Sequence, residues 1–199
     1  MLASASPARL KTLQAAGLDP EVQVSGVDED AISAALVAAS PAELVQALAT
    51  AKADAVAAQQ DGELLLLGCD SMLEFDGAVV GKPADEAEAI ARWKQMRGGV
   101  GWLHTGHSLI EISHSVPARS VHRVASTEVH LANPSDAEIA AYVATGEPLR
   151  VAGAFTIDGL GSWFVESIVG DHHNVVGLSI PLLRLMLAEL GYSVTDLIG

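Results

Sequence analysis

The chain has 199 residues, 11 basic and 25 acidic, giving a formal charge of −14, and half of its residues are hydrophobic. Such an acidic surface repels nucleic acid polymers and anionic membranes, so a polyanionic partner must be small and met by a few locally gathered cations. No apolar run reaches the roughly 18 residues of a membrane span, and the start lacks the basic region and long apolar stretch of a signal peptide; a cytoplasmic protein is expected. The lone Cys69 excludes an internal disulfide and reads as a buried small hydrophobe. The length suits one domain over residues 1–199.

In chain order, the first signal is "SASPARL". Ser6 is a good N-cap and Pro7 a good first helical residue, so a helix is expected from Pro7 to Ala16, stopped by Gly17. Arg9 then stands in the first turn, where the helix end is already partly positive. A cation there is unfavourable unless an anion shares the site, and removing it should relieve repulsion at little cost to stability. Val27-Asp28-Glu29-Asp30 follows a candidate strand and reads either as a solvated acidic turn or as carboxylates for a divalent cation. Ser40-Pro41-Ala42-Glu43 is a capping box opening a helix to about Gln60, with Lys52 on the face shared by Val45, Leu48 and Val56. Lys52 is either a stem lying along apolar surface with its ammonium in water, or a functional cation turned inward.

"ELLLLGCD", Glu63 to Asp70, is a short apolar run that reads as a buried strand with Asp70 just past its carboxyl end, where open α/β sheets bind ligands. Asp70 is then either a turn cap or a carboxylate raised by burial and suited to act as a base. A turn at Asp76-Gly77, a short strand and a rigid Gly81-Lys82-Pro83 loop come next, then a helix capped by Asp85 and ending at Gly98-Gly99. Two strands are expected in "LHTGHSLIEI" and "ASTEVHLA", with 112–125 between them as a hairpin or loop tip. Ser135-Asp136-Ala137-Glu138 starts a helix to Thr145, "GSWFVESIVG" reads as a strand, and Pro181 to Leu190 as a last helix. The alternation predicts an α/β fold, a mixed central sheet flanked by helices on both faces with room for a central cleft. His104 and His107 are badly spaced for one metal, and His172 and His173 would point apart in an extended segment.

In order and spacing, "SASPARL", "GCDSM", "GKP", "HTG", "ATGEPLRVAGAFTIDGLG" and "GDHHNVVGLSIPLL" resemble the Maf family of nucleoside triphosphate pyrophosphatases nearly end to end. The resemblance implies the cleft fold of the inosine triphosphate pyrophosphatase-like proteins, often as a homodimer, and hydrolysis of a nucleoside triphosphate to monophosphate and pyrophosphate. It also leaves room for a nucleotide-binding regulator of septum formation acting through a division partner. Residue by residue, Ser6 and Arg9 match the family's phosphate grip, and Lys52 and Lys82 its two lysines. Asp70 matches its proposed catalytic aspartate, and Glu29 the acidic residue near the metal.

The implied mechanism places Arg9, Lys52 and Lys82 on the polyphosphate, with Mg²⁺ or Mn²⁺ held by Glu29 and Asp70 and a water deprotonated by Asp70. Two departures stand out. Ala8 replaces the first of two arginines common in the family, and Asp158 replaces a glutamine usual in pyrimidine-preferring members, as in the subgroup that acts on 7-methyl-GTP. Asp158 is therefore expected to help choose the base. The chain begins only three residues before Ser4, so the first strand looks short, as it would if the start codon were misassigned.

Overall fold

The computed structural model describes residues 1–114 and 116–198. Helices and strands alternate as expected: β1 Leu2–Ala3, α1 Pro7–Ala15, α2 Glu29–Ala35, α3 Pro41–Ala57, β2 Leu64–Phe75, β3 Ala78–Val80, α4 Glu86–Met96, β4 Val100–Ser113, β5 Val116–Leu131, α5 Asp136–Val143, β6 Val165–Val169, α6 His172–Val176 and α7 Ile180–Glu189. The sheet runs β1-β2-β4-β5-β6, with β3 also on β2. β1 is parallel to β2, and the other pairings are antiparallel. This is the mixed α/β architecture that the alternation of periods predicts.

The expected start signals hold locally. Ser6, Ser40, Asp85 and Ser135 each accept the backbone N–H three residues on, and Ser40 and Ser135 form complete capping boxes with Glu43 and Glu138. Long-range pairing overrides several local signals. β2 continues five residues past Asp70, because Ser71 to Phe75 pair with Thr105 to Gly101 across β4. The segment 112–125 is a loop tip only at its centre, since β4 reaches Ser113 and β5 starts at Val116, and residue 115 lies outside the described residues. Leu160–Phe164 forms a 3₁₀ turn before β6, where a strand from Gly161 is expected. His172 and His173 open the short helix α6, capped by Asp171. The strand expected before the acidic cluster shrinks to a single bridge between Val22 and Leu2, and Asp28 caps α2.

Residues alternate between the sheet faces. One face carries α3 alone, packed on Leu66, Ile110 and Ile112 through Ala53, Val56 and Ala57. A Cβ on Gly68 would meet the Ala49 carbonyl, and one on Gly106 the Val45 carbonyl, so only glycine lets α3 lie directly on the sheet backbone there. The opposite face holds two apolar clusters. Leu67, Cys69, Leu109 and Val121 pack with Leu13 of α1 and Leu183, Met186 and Leu187 of α7. Leu73, Leu103, Val129 and Leu131 pack with Trp93 of α4 and Ile139 and Tyr142 of α5. Between these clusters runs a polar belt of the buried Thr105, His107, Thr127 and Asn174 with the half-buried Ser71 at its β2 edge, where the candidate site opens.

Candidate active site

One edge of β2 is covered in two pieces. β1 pairs Leu67 and Gly68, β3 pairs Leu73 to Phe75, and Cys69 to Met72 lie between them with no strand on that side among the described residues. Asp70 is therefore central in its strand yet sits at a break in the sheet, a position that depends on where two distant segments stop pairing. Its 6% exposure is that of a core residue.

Asp70 faces α3. The close approach at Gly68 brings Lys52, one turn beyond Ala49, over this strand, and Lys52 Nζ donates to Asp70 Oδ1 at 2.6 Å. Glu29, first residue of α2, places Oε1 2.9 Å from the same ammonium. Lys52 is 8% exposed, which excludes a solvated head: the ammonium is turned inward between two carboxylates. Burial pushes the Asp70 carboxyl above the usual range, Lys52 and then Arg9 pull it back, and Glu29 pushes it up again.

Arg9 resolves its unfavourable helix position by spanning three elements. Nε donates to the Gly177 carbonyl at 2.8 Å, one Nη to Ser4 Oγ at 3.0 Å and the other to Ser71 Oγ at 2.9 Å. Thr105 Oγ1 donates to the Asn174 carbonyl and lies 2.9 Å from Ser71 Oγ. Each hydroxyl has one proton, so Ser71 donates to Thr105 and accepts from Arg9, and the chain of bonds ends on α6. Ser6 caps α1, and its oxygen accepts Arg9 N at 3.4 Å. Deeper in the belt, His107 Nε2 accepts Ser179 N at 2.9 Å while Nδ1 faces the Thr105 carbonyl at 3.0 Å, which fixes a neutral tautomer. Burial, then the Arg9 charge, push its pKa down to about 4. Cys69, fully buried, has its thiol pushed up to about 12 and is inert.

The remaining expected residues stand on loops. Lys82 is exposed after β3, and Asp158 is exposed beyond the 3₁₀ turn Ala152–Ala154. The two loops are joined by Gly153 N donating to the Gly81 carbonyl at 3.4 Å. Thus Glu29, Lys52 and Asp70 are in direct contact with one another, Arg9 is placed just beyond them, and Lys82 and Asp158 touch none of these. Ser71, Thr105 and Asn174 escaped the sequence reading. The available signal was a polar Ser after Asp70, bound to face the other way in a strand, and an Asn directly before the apolar Val175-Val176.

The class defined here is an α/β protein with a buried acid–cation cluster at a break in its sheet edge. The model of the family described as "Maf-like protein" matches residues 1–190, so the chain belongs to the Maf family. It is 59% identical over 202 residues to a protein of Salinispora tropica, covering 99% of this chain and 86% of that one. It is 56% identical over 198 residues to one from Streptomyces coelicolor, covering 99% and 93%. A protein of Nostoc punctiforme is 53% identical over 196 residues, covering 98% and 95%. Each of the three relatives is named nucleoside triphosphate pyrophosphatase.

Proposed function

We propose that this chain hydrolyses nucleoside triphosphates, ordinary or modified, to the monophosphate and pyrophosphate, with Asp70 as general base. The observation that carries the reading is a carboxyl group raised by burial, at a gap in the sheet edge, held by Lys52 and within reach of the Arg9 charge. The name borne by the full-length relatives supports the reaction class.

The residues divide the work by charge. Arg9 and Lys52, with Lys82 reaching in from its loop, meet the polyphosphate and oppose the charge that develops on the leaving pyrophosphate. Ser6 and the backbone N–H of Ala8, in a first turn where Ser6 already takes Arg9 N and Leu10 N, bind a phosphate oxygen. Asp70 Oδ1 is taken by Lys52, and no described residue donates to the second oxygen, which receives the proton of the attacking water. As substrate enters, Lys52 exchanges a carboxylate partner for phosphate.

Glu29 and Asp70 also fit a divalent cation: both carboxylates already converge on one positive centre, and two carboxylates plus substrate phosphates are a usual oxygen set for Mg²⁺ or Mn²⁺. Such an ion would supply charge neutralisation on the phosphates and a polarised water. Asp158 is the residue assigned to base choice, since an ionised carboxylate only accepts hydrogen bonds and so favours a base edge rich in N–H donors. Turnover in heavy-oxygen water tests the reaction: label in the monophosphate with pyrophosphate released supports it, whereas label in orthophosphate with a diphosphate co-product overturns it. In the cell the substrate is expected in the cytoplasm, and a homodimer remains part of the proposal.

A further inference from the structure

Asp158 stands on a loop whose two ends are gathered by one carboxylate. Glu147 follows α5, and its Oε1 accepts Tyr142 Oη at 3.0 Å, Thr156 Oγ1 at 2.5 Å and Gly161 N at 2.9 Å, while Oε2 accepts Leu160 N at 3.0 Å. Thr156 Oγ1 in turn accepts Gly161 N at 3.2 Å. The donors therefore come from both ends of the segment 156–161. They also come from Tyr142, whose ring lies in the aromatic cluster with Trp93 and Phe164 at centroid separations of 5.9 and 5.3 Å. A Cβ on Gly159 would collide with Glu147 Oε2, and one on Gly161 with Tyr142 Oη and the backbone of Thr156, so Gly159 is shaped to the carboxylate and Gly161 to two of its donors' residues. Partial burial works against ionisation of Glu147, yet the bonds from Thr156, Leu160 and Gly161 hold it below the ordinary range. An anion that gathers this many donors rigidifies what it joins. Here it ties 157–159, with Asp158 at the centre, to the core of the α4–α5 side.

We propose that Glu147 is a positioning residue: it fixes the 156–161 loop against the core and thereby sets how tightly, and with what base preference, the nucleotide is held. The proposal rests on the reading that this loop borders the nucleotide. Glu147 touches no reacting atom and acts through the loop's backbone and Asp158. Glutamine at this position keeps the size but offers one acceptor oxygen and an NH₂ group facing N–H donors, so it opens the clasp.

The test is steady-state pyrophosphate release by the full chain over UTP, dTTP, CTP, GTP and 7-methyl-GTP, with Tm measured alongside. Glu147→Gln should raise KM about tenfold or more for every substrate, leave kcat within about threefold, and narrow the spread of kcat/KM among bases. Thr156→Val, which removes one donor, should move KM in the same direction by less, and it carries the test if Glu147→Gln fails to fold. In the Glu147→Gln background, Asp158→Gln should have no further effect on the ranking. A lowered Tm with KM and base ranking unchanged would reduce Glu147 to a structural clasp and overturn the proposal. If Asp158→Gln alone leaves the ranking unchanged while Glu147→Gln still raises KM, base choice by Asp158 falls and positioning by Glu147 stands. If the wild-type chain hydrolyses none of these substrates, the activity falls. Calorimetric binding of a non-hydrolysable triphosphate analogue then decides the positioning, supported by a Kd weakened about tenfold in Glu147→Gln and overturned by an unchanged Kd.

Discussion

Arg9, Lys52 and Asp70 project from two helices and a strand and are 9%, 8% and 6% exposed, whereas Lys82 and Asp158 stand exposed on two loops joined by a single backbone hydrogen bond. The first group is fixed by packing before any ligand arrives: α3 can reach Asp70 only because Gly68 and Gly106 let it lie on the sheet, and Arg9 is bonded to three separate segments. The second group is tied to the body through loop backbone and, on one side, through the Glu147 clasp. The residues proposed for the chemistry sit where burial can tune their charge, and Lys82 and Asp158, proposed to meet the phosphates and the base, sit where substitution costs the fold little.

The largest effect should come from the centre of the buried group. Asp70→Asn keeps the shape but cannot accept a proton, and kcat should fall by roughly 10²- to 10⁴-fold with the circular dichroism spectrum intact. Wild-type turnover would show that another group activates water and that the buried group does not hold the chemistry.

Arg9→Ala should lower kcat/KM by an amount equivalent to roughly 2 to 4 kcal/mol, as for the loss of a preorganised contact to developing charge. The structure revises the expected effect on stability. The guanidinium is not an isolated cation at a helix end but the shared donor of Ser4, Ser71 and the Gly177 carbonyl. Its loss should destabilise the fold by about 1 to 3 kcal/mol, the cost of a buried acceptor left unmet, read as a lower midpoint in urea. An unchanged midpoint would mean that the buried group is less tightly coupled than its geometry implies.

Acid should weaken the polar belt behind Arg9. His107 is buried neutral, with its pKa pushed down to about 4 by burial and the Arg9 charge. The unfolded chain therefore binds the proton first. Stability from this group is complete above the unfolded value of about 6.5 and is lost as pH falls to about 4, on the order of 3 kcal/mol over the window. Urea midpoints across that range should fall steeply, and less steeply in His107→Gln. Equal slopes would place the acid sensitivity elsewhere.

The smallest effect belongs to the loops. Asp158→Gln should shift relative kcat/KM towards UTP and dTTP by about tenfold, roughly the 1.4 kcal/mol of one hydrogen bond, with Tm and metal requirement unchanged. An unchanged ranking would make Asp158 a surface turn residue, and a raised metal requirement with uniform loss across bases would make it a metal ligand.

Local chemistry is written in the sequence, and much of this protein is local. Ser6, Ser40, Asp85 and Ser135 begin the expected helices because capping needs only a side chain and an N–H three residues away. The apolar run before Asp70 announced a buried strand, and the α/β class followed from the alternation of periods. The family motifs marked Arg9, Lys52, Asp70 and Glu29, and two of these could be seen as odd beforehand, Arg9 from its place in a capped first turn and Lys52 from helical periodicity. What the fold added came from contacts distant in the chain. Asp70 is mid-strand because β4 pairs with residues 71 to 75, and it lies at an uncovered stretch of edge because β1 ends at Ala3, opposite Gly68, and β3 ends at Val80, opposite Leu73. The anchors of Arg9 lie up to 168 residues away in sequence. The clasp of Glu147, just past α5, gathers both ends of a loop 9 to 14 residues later through one pair of oxygens. A sequence lists donors and acceptors and fixes the helices and turns they form with near neighbours; which distant ones meet depends on where the strands stop pairing, and only the assembled sheet decides that.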